Sequence, residues 1–167
     1  ASQIGVFMVL EPVTLHIRHG QSGSEALVFG IRLEGCRYVV RPSAYAILRD
    51  ENGAIAVVRA PGGWFLPGGG IKAGETAEQA VVREALEECG LLIQPRVVLG
   101  SATEIVHSPA GHSGVDKASV FIDAAVVGKT AATEIDHELT WLTPAEAIRR
   151  LSHQSHRWVI EFLIPNS

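Results

Sequence analysis

The chain lacks several features that mark other classes of protein. It has 2 cysteines, Cys36 and Cys89, far apart and without metal-ligand spacing. This scarcity argues against a disulfide framework or a cysteine-rich zinc site and favours a reducing cytoplasm. The longest apolar run near the N-terminus, Val6 to Leu10, is too short to span a membrane, and no basic segment precedes it as in a secretory signal.

Basic runs are also missing, and so are internal repeats and low-complexity tracts. The net charge is −4, and no cluster of lysines and arginines is long enough to bind a nucleic-acid polymer. What remains is ordinary for a globular protein, with 47% hydrophobic and 19% charged residues among 167. We therefore expect a single domain over residues 1–167, with no membrane or polymer partner.

Hydrophobic periodicity predicts more strands than helices. Strands are predicted at Val13 to Arg18, Ala26 to Leu33, Tyr38 to Val40, Ala44 to Arg49, Ala54 to Arg59, Trp64 to Leu66, Val97 to Val106, Ala118 to Val127 and Glu138 to Leu142. Helices are predicted at Thr76 to Cys89, Ala145 to Leu151 and Ser155 to Leu163. This order indicates an α+β chain, a mixed β-sheet with helices packed on its faces.

Turn signals connect these elements. Asn52-Gly53 is typical of a hairpin between its two flanking strands. Thr76 with Gln79, and Thr143 with Glu146, predict capping boxes, while Gly90 predicts a left-handed helix end. The segment from His107 to Asp116 is polar and rich in glycine, and is predicted to be an exposed loop.

One predicted helix carries an unusual concentration of negative charge. Glu84, Glu87 and Glu88 fall within about 100° of arc on one side, and Val82, Ala85, Leu86 and Cys89 share the opposite side. Like charges three and four residues apart destabilise a helix, and pairing of Arg83 with Glu87 offsets this only in part. A divalent cation such as Mg²⁺ or Mn²⁺, which prefers carboxylate oxygens, is therefore predicted at this face. A solvated acidic surface is the alternative.

The spacing of this segment resembles the Nudix box. Gly69, five residues, Glu75, seven residues and then Arg83-Glu84-Ala85-Leu86-Glu87-Glu88-Cys89-Gly90-Leu91 match its defined positions. The resemblance is to MutT-like members of the Nudix hydrolase family. It implies the Nudix fold, a mixed β-sheet sandwiched between helices, with a core at about 38–165 and residues 1–35 as an N-terminal extension.

The resemblance also implies a function. Members hydrolyse the pyrophosphate bond of a nucleoside diphosphate linked to another moiety, using Mg²⁺ or Mn²⁺. Carried over by position, Glu84, Glu87 and Glu88 bind metal with the backbone carbonyl of Gly68, and Glu75 holds Arg83. A catalytically silent nucleotide-binding module on the same fold is the alternative.

Two questions stay open from the sequence. The proton of the attacking water could pass to Glu84, the first choice, or to a glutamate outside the box, Glu134 before Glu138. The substrate is undetermined among nucleoside triphosphates, dinucleoside polyphosphates and nucleotide sugars. Trp64 is a candidate to stack on a base, and Arg41 and Arg59 are candidates to contact a phosphate. The N-terminal extension could supply the strand of a homodimer.

Overall fold

Most secondary-structure elements of the described chain are strands, and its one long helix lies near the middle. The computed structural model describes residues 27–164. Its strands are β1 (Leu27–Phe29), β2 (Arg37–Leu48), β3 (Ile55–Ala60), β4 (Gly63–Phe65), β5 (Gly68–Gly70), β6 (Leu91–His107), β7 (Ser113–Lys129) and β8 (Glu138–Leu142). The helices are α1 (Ala77–Cys89), α2 (Pro144–Arg150) and α3 (Gln154–Trp158), and a π-helix at Val159–Leu163 continues α3.

The strands form two sheets. The larger is mixed, in the order β1-β6-β7-β2-β5, and the smaller has the order β4-β3-β8. In the larger sheet β2 runs parallel to β7, while the long β6–β7 pair is antiparallel. The predicted mixed sheet with helices on its faces is confirmed, although its strands are shared between two sheets. The strand predicted at Val13 to Arg18, and with it the dimer suggestion, lies outside the described residues.

Alternate residues of the central strand β2 pack into two different hydrophobic clusters, one on each face of the sheet. Ala44, Ala46 and Leu48 of β2 belong to a buried cluster that includes residues of α1. The intervening Tyr45 and Ile47 belong to a second cluster with residues of α2 and the π-helix. A strand buried on both faces reads as a continuous apolar run. The helices therefore lie on opposite faces, as an α/β/α arrangement requires.

The helix ends follow the predicted signals. The side chain of Thr76 accepts from the backbone N–H of Gln79, and the Gln79 side chain accepts from the N–H of Thr76. Gly90 ends α1 in the left-handed conformation, with φ of 64°. Thr143 and Glu146 make the same reciprocal pair at the start of α2. Local side-chain chemistry thus determines where these helices begin and end.

One of the predicted connections is wrong and another is only partly right. The strands around Asn52-Gly53 share only one bridge, between Arg49 and Ile55, because β2 and β3 belong to different sheets. The predicted loop at His107 to Asp116 is half turn and half strand, since β6 ends at His107, residues 108–112 form the connection and β7 begins at Ser113. Its polar residues include Asp116, which is buried and pairs with Arg32. Residues 109–113 are exposed, as predicted, so the prediction fails only for the buried part of β7.

Candidate functional site

A strand of three glycines brings the backbone close to α1. Strand β5 pairs with β2, where Gly68 lies opposite Tyr45 and Gly69 opposite Ala44. Gly68 has φ of 146°, and a Cβ there would lie 2.2 Å from the carbonyl oxygen of Ala44. A Cβ on Gly69 would lie 2.8 Å from a carboxylate oxygen of Glu84. Only glycine therefore allows this strand to fit between β2 and the acidic helix.

Helix α1 packs on the sheet with a face that is rotated from the predicted one but shares Ala85 and Cys89 with it. Val82 is exposed, whereas Val81, Ala85 and Cys89 are buried. These three residues are four apart, so they form one stripe against the sheet. The rotation also carries Glu88 to the edge of the packing face, where it is only 8% exposed. The prediction that Val82 packs on the sheet is therefore wrong, whereas Ala85 and Cys89 are buried as predicted.

Arg83 is the centre of a carboxylate network. Its Nε and Nη2 donate to the two oxygens of Glu75 at 2.8 and 3.0 Å. Its Nη1 donates to Glu84 at 2.7 Å and to Glu87 at 3.1 Å, and Nη2 also donates to the carbonyl oxygen of Gly70 at 3.1 Å. These bonds lower the pKa of Glu75 to about 2, chiefly through Arg83. One guanidinium therefore holds the loop before α1 and two glutamates of the helix in fixed positions.

Glu88 is the most buried of the acidic residues on α1. One carboxylate oxygen accepts the backbone N–H of Gly68 at 3.1 Å. Burial, opposed by that hydrogen bond and reinforced by the charges of Glu84, Glu134 and Glu87, raises the pKa of Glu88 to about 8. A carboxylate held in this way is costly without a positive partner.

The loop before β8 completes the cluster. The N–H groups of Thr133 and Glu134 both donate to the carbonyl oxygen of Glu87 at 3.0 Å, which ties the loop to the last turn of α1. Glu134 lies 3.1 Å from Nδ1 of His137, and Nε2 of His137 lies 3.7 Å from Glu88. Ligand atoms within 4.8 Å of one another are offered by two groups, Glu84-Glu87-Glu134 and Glu88-Glu134-His137. We call Glu84, Glu87, Glu88 and Glu134 the acidic wall.

The donor chemistry of the acidic wall fits a hard divalent cation. Four carboxylates meet there, while Arg83 compensates only Glu84 and Glu87 among them. Mg²⁺ and Mn²⁺ favour carboxylate and water oxygens over sulfur. Among the described residues, neither ligand group at the wall includes a cysteine, and the nearby Cys89 is buried in the core. A buried carboxylate surrounded by like charges is the local feature that such a cation would relieve.

A cleft of about 290 Å³ opens beside the acidic wall. It is bordered by Gly68, Gly69 and Glu88 on one side and by Arg41 and Lys117 elsewhere. Phe65 and His137 also line it. The cleft therefore presents both negative and positive side chains to one small volume, an arrangement suited to a metal-bound anion.

The other predicted residues lie elsewhere. Trp64 does not line this cleft; it packs beside α2, where Arg59 and Arg150 approach its ring at 6.0 and 5.1 Å. Arg59 lies 3.9 Å from Glu138, and both side chains are exposed. The structure thus places Arg41 at the cleft and Glu134 in the acidic wall beside it, and places Glu138, Arg59 and Trp64 outside the lining of the cleft.

Sequence reasoning did not select His137, Lys117 or Phe65. His137 follows Glu134 by three residues, a spacing that could have marked it as a possible ligand. No comparable signal marks Lys117, which lies within a long strand and reaches the cleft only through strand pairing.

Among residues 27–164, no helix has the length and apolar character needed to cross a bilayer.

Comparison with known proteins connects the sequence to annotated relatives. An ADP-ribose pyrophosphatase from Methanocaldococcus jannaschii is 45% identical over 70 residues, which are 40% of this chain and 41% of that protein. An RNA pyrophosphohydrolase from Teredinibacter turnerae is 48% identical over 54 residues, which are 30% of this chain and 32% of that protein. The chain thus matches less than half the length of these relatives.

Solved structures share the fold over a larger part. A MutT protein from Methanosarcina mazei superimposes with a TM-score of 0.57 at 25% identity, covering 78% of this chain and 94% of that one. A NUDIX hydrolase from Nitrosomonas europaea gives a TM-score of 0.61 at 19% identity, covering 74% and 87%. The family model for the NUDIX domain matches residues 39–162. The chain therefore belongs to the MutT-like NUDIX domain family.

Proposed function

We propose that this protein is a pyrophosphohydrolase that cleaves the phosphoanhydride bond of a nucleoside diphosphate linked to another moiety. The observation that carries the proposal is the meeting of Glu84, Glu87, Glu88 and Glu134 beside a cleft that also contains Arg41. Carboxylates without equal positive charge can hold a cation, and a cation beside an arginine can hold a diphosphate. The family membership and the names of the relatives support the same chemistry.

The acidic wall would hold Mg²⁺ or Mn²⁺. Glu84, Glu87 and Glu88 supply carboxylate oxygens from α1, and the backbone carbonyl of Gly68 is proposed as a further ligand. When bound, the ion supplies charge neutralisation on the phosphate oxygens and lowers the pKa of a coordinated water. Glu75 and Arg83 do no chemistry in this scheme, because their role is to fix the positions of the glutamates.

Attack of water on phosphorus also requires a residue that accepts its proton. Glu84 and Glu134 both belong to the acidic wall. One oxygen of Glu84 is engaged by Arg83 at 2.7 Å, whereas the partner of Glu134 in the structure is His137 at 3.1 Å. Glu134 is also more exposed, with 38% of its side chain accessible against 14% for Glu84. These contacts favour Glu134 as the proton acceptor and Glu84 as a metal ligand, while Glu138 belongs to neither ligand group and lies near Arg59 instead.

The substrate is proposed to be a small nucleotide. The cleft of about 290 Å³ suits a phosphate chain with part of a nucleoside rather than an extended polymer. Nucleoside triphosphates, dinucleoside polyphosphates and nucleotide sugars are the candidates. ADP-ribose joins them because of the name of one relative, the ADP-ribose pyrophosphatase. Both cysteines are free thiols, consistent with a reducing cytoplasm as the proposed setting.

A substrate panel tests the proposal. Purified protein is incubated with each candidate in the presence of Mg²⁺ or Mn²⁺, with metal-free samples as controls, and products are identified by chromatography. We expect metal-dependent release of a nucleoside phosphate from at least one compound. No turnover across the panel with either metal would contradict the proposal. Tight binding in calorimetry without product would instead favour the silent nucleotide-binding module.

Comparison of two variants tests the assignment of the proton acceptor. Glu134→Gln should lower kcat while metal binding stays close to that of the wild type. Glu84→Gln should weaken metal binding itself. The reverse pattern would assign the proton to Glu84.

A further inference from the structure

A row of charged side chains crosses three neighbouring strands on one face of the larger sheet. In the strand register, Lys117 of β7 lies opposite Glu104 of β6 on one side and opposite Arg41 of β2 on the other. Directly opposed residues project from the same face, so the three side chains are neighbours. Lys117 and Arg41 both line the cleft that Glu88 borders.

Contacts behind Lys117 hold its side chain in place. Its Nζ lies 3.2 Å from Nε2 of His153, whose Nδ1 lies 3.4 Å from Glu104. An ammonium group can only donate, so Nε2 must accept and the imidazole proton must sit on Nδ1, facing the carboxylate. The ring of His153 also packs on Phe65, with centroids 5.0 Å apart. The order Lys117–His153–Glu104 is thus fixed by donor and acceptor roles.

Glu104 is itself held by several donors. Its two oxygens accept the backbone N–H groups of Gln154 and Ser155 at 3.0 and 2.9 Å, and the Ser155 hydroxyl at 2.6 Å. These bonds and His153 outweigh burial and lower the pKa of Glu104 to about 2. Because its oxygens accept all these hydrogen bonds, the Glu104 carboxylate is a rigid anchor for His153 and, through it, for Lys117.

At the other end of the row, Lys117 and Arg41 lie side by side and carry more positive charge than Glu104 balances. Burial lowers the pKa of Lys117, Glu104 opposes this, and the neighbouring Arg41 lowers it further. Within residues 27–164, neither Arg41 nor Lys117 has a carboxylate oxygen within 4.0 Å. Opposed like charges destabilise a sheet, so two cations held side by side at a cleft favour an anion between them.

We propose that Lys117, together with Arg41, binds a phosphate group of the substrate in this cleft, and that His153 and Glu104 are positioning residues for Lys117. We call Arg41 and Lys117 the basic wall. A diphosphate would then be held between a cation at the acidic wall and the side-chain cations of Arg41 and Lys117. This inference rests on the proposed function for the identity of the substrate, and adds Lys117 and its two supporting residues to it.

Calorimetry with methylenediphosphonate, a diphosphate mimic that cannot be hydrolysed, tests the inference. The titration is done with Mg²⁺ present on the wild type, on Lys117→Met and on Lys129→Met, a control that removes an exposed lysine from the same strand. We expect Lys117→Met to weaken binding at least about tenfold, the loss of one charge-assisted hydrogen bond, and Lys129→Met to bind like the wild type. Equal affinity for wild type and Lys117→Met, or no binding by the wild type, would overturn it.

A second comparison separates positioning from folding. His153→Gln keeps an acceptor for Lys117, whereas His153→Phe keeps a ring against Phe65 but removes the acceptor. We expect His153→Phe to bind methylenediphosphonate several-fold more weakly and His153→Gln to recover most of the loss, with both variants folded by circular dichroism. Equal affinities of the two variants would overturn the positioning role.

A measurement of metal binding distinguishes a failure of this inference from a failure of the proposed function. Titration with Mn²⁺ in the absence of any phosphate should give the same affinity for Lys117→Met as for the wild type. Failure to hydrolyse the substrate panel would remove the enzymatic assignment, while a weakened Lys117→Met complex would still establish the anion site.

Discussion

The two walls of the cleft balance their charge in opposite ways. The acidic wall collects four carboxylates around one buried member, Glu88, and Arg83 contacts only two of them. The basic wall has two cations, and the carboxylate behind them, Glu104, is fully engaged by hydrogen bonds and stands behind His153. The acidic wall therefore carries negative charge that the protein does not balance. In the basic wall, Lys117 is held in place by His153 and Glu104.

This difference indicates which wall changes most when ligands bind. The repulsion at the acidic wall that Arg83 leaves uncompensated can be relieved by an ion from solution, so its stability and function should depend on metal. Lys117 of the basic wall is oriented by contacts within the protein, so it should contribute to anion affinity without requiring metal for its own position. Each prediction below tests one side of this contrast.

The largest effect is expected at the acidic wall. Glu88→Gln removes a proposed metal ligand and should lower kcat/KM by about 10³-fold, since a bound ion supplies several kcal/mol of charge stabilisation. Steady-state kinetics at saturating Mg²⁺ checks it. Glu78→Gln, which removes an exposed carboxylate from the first turn of the same helix, serves as the control. Similar activities for the two variants would show that the position of the charge on α1 is unimportant.

The next effect concerns the support of the basic wall. Because the pKa of Glu104 lies at about 2 in the folded protein against 4.5 ordinarily, its ionised form stabilises the fold above pH 4.5. That contribution is lost as the pH falls from about 4.5 towards 2. It amounts to about 3 kcal/mol. Urea unfolding of wild type and Glu104→Gln at pH 7 and pH 3 measures it. The variant should lose less stability on acidification than the wild type, and equal losses would show that Glu104 is not responsible.

A smaller effect is expected where Arg83 is held. Glu75→Gln replaces the carboxylate that accepts two hydrogen bonds from Arg83, and should lower activity or Mn²⁺ affinity by about 10- to 100-fold. Glu51→Gln, at an exposed turn, should leave both unchanged. If Glu75→Gln matched this control, the acidic wall would not need Arg83 to be fixed from the loop.

The smallest effect belongs to the start of α1. Thr76→Ala removes a capping hydrogen bond and should lower the free energy of unfolding by about 1 kcal/mol. Thr143→Ala does the same for α2, which carries none of the acidic wall. Thermal unfolding with and without Mn²⁺ should show equal metal-induced stabilisation in both variants. A selective loss in Thr76→Ala would mean that the helix end takes part in forming the metal site.

The contrast between the walls also explains what could be predicted from the sequence. Glu84, Glu87 and Glu88 lie on one helix whose capping box and terminal glycine are local signals, so their proximity follows from helical spacing. Lys117, Glu104 and His153 come from two strands and a later helix. Their meeting depends on the register between β6 and β7, which alternation along one strand does not determine.

The errors have the same origin. The Asn52-Gly53 turn was correctly located, but only the partition of β2 and β3 between two sheets decides whether a hairpin follows. The packing face of α1 was misjudged because Val82 and Val81 are both apolar, and the fit of Gly68 and Gly69 against the helix determines its rotation. Glu134 was placed near the site by its position before β8, while His137 was not selected.

Mn²⁺ titration of the metal-free protein by calorimetry tests the central claim most directly, because it measures whether the acidic wall is a cation site without assuming a substrate. Wild type and Glu88→Gln are compared under identical conditions, with Glu78→Gln as the control. The account predicts saturable Mn²⁺ binding by the wild type and by Glu78→Gln, and binding weakened at least about tenfold in Glu88→Gln. Absence of binding by the wild type at millimolar Mn²⁺, or the same affinity in all three proteins, would contradict it.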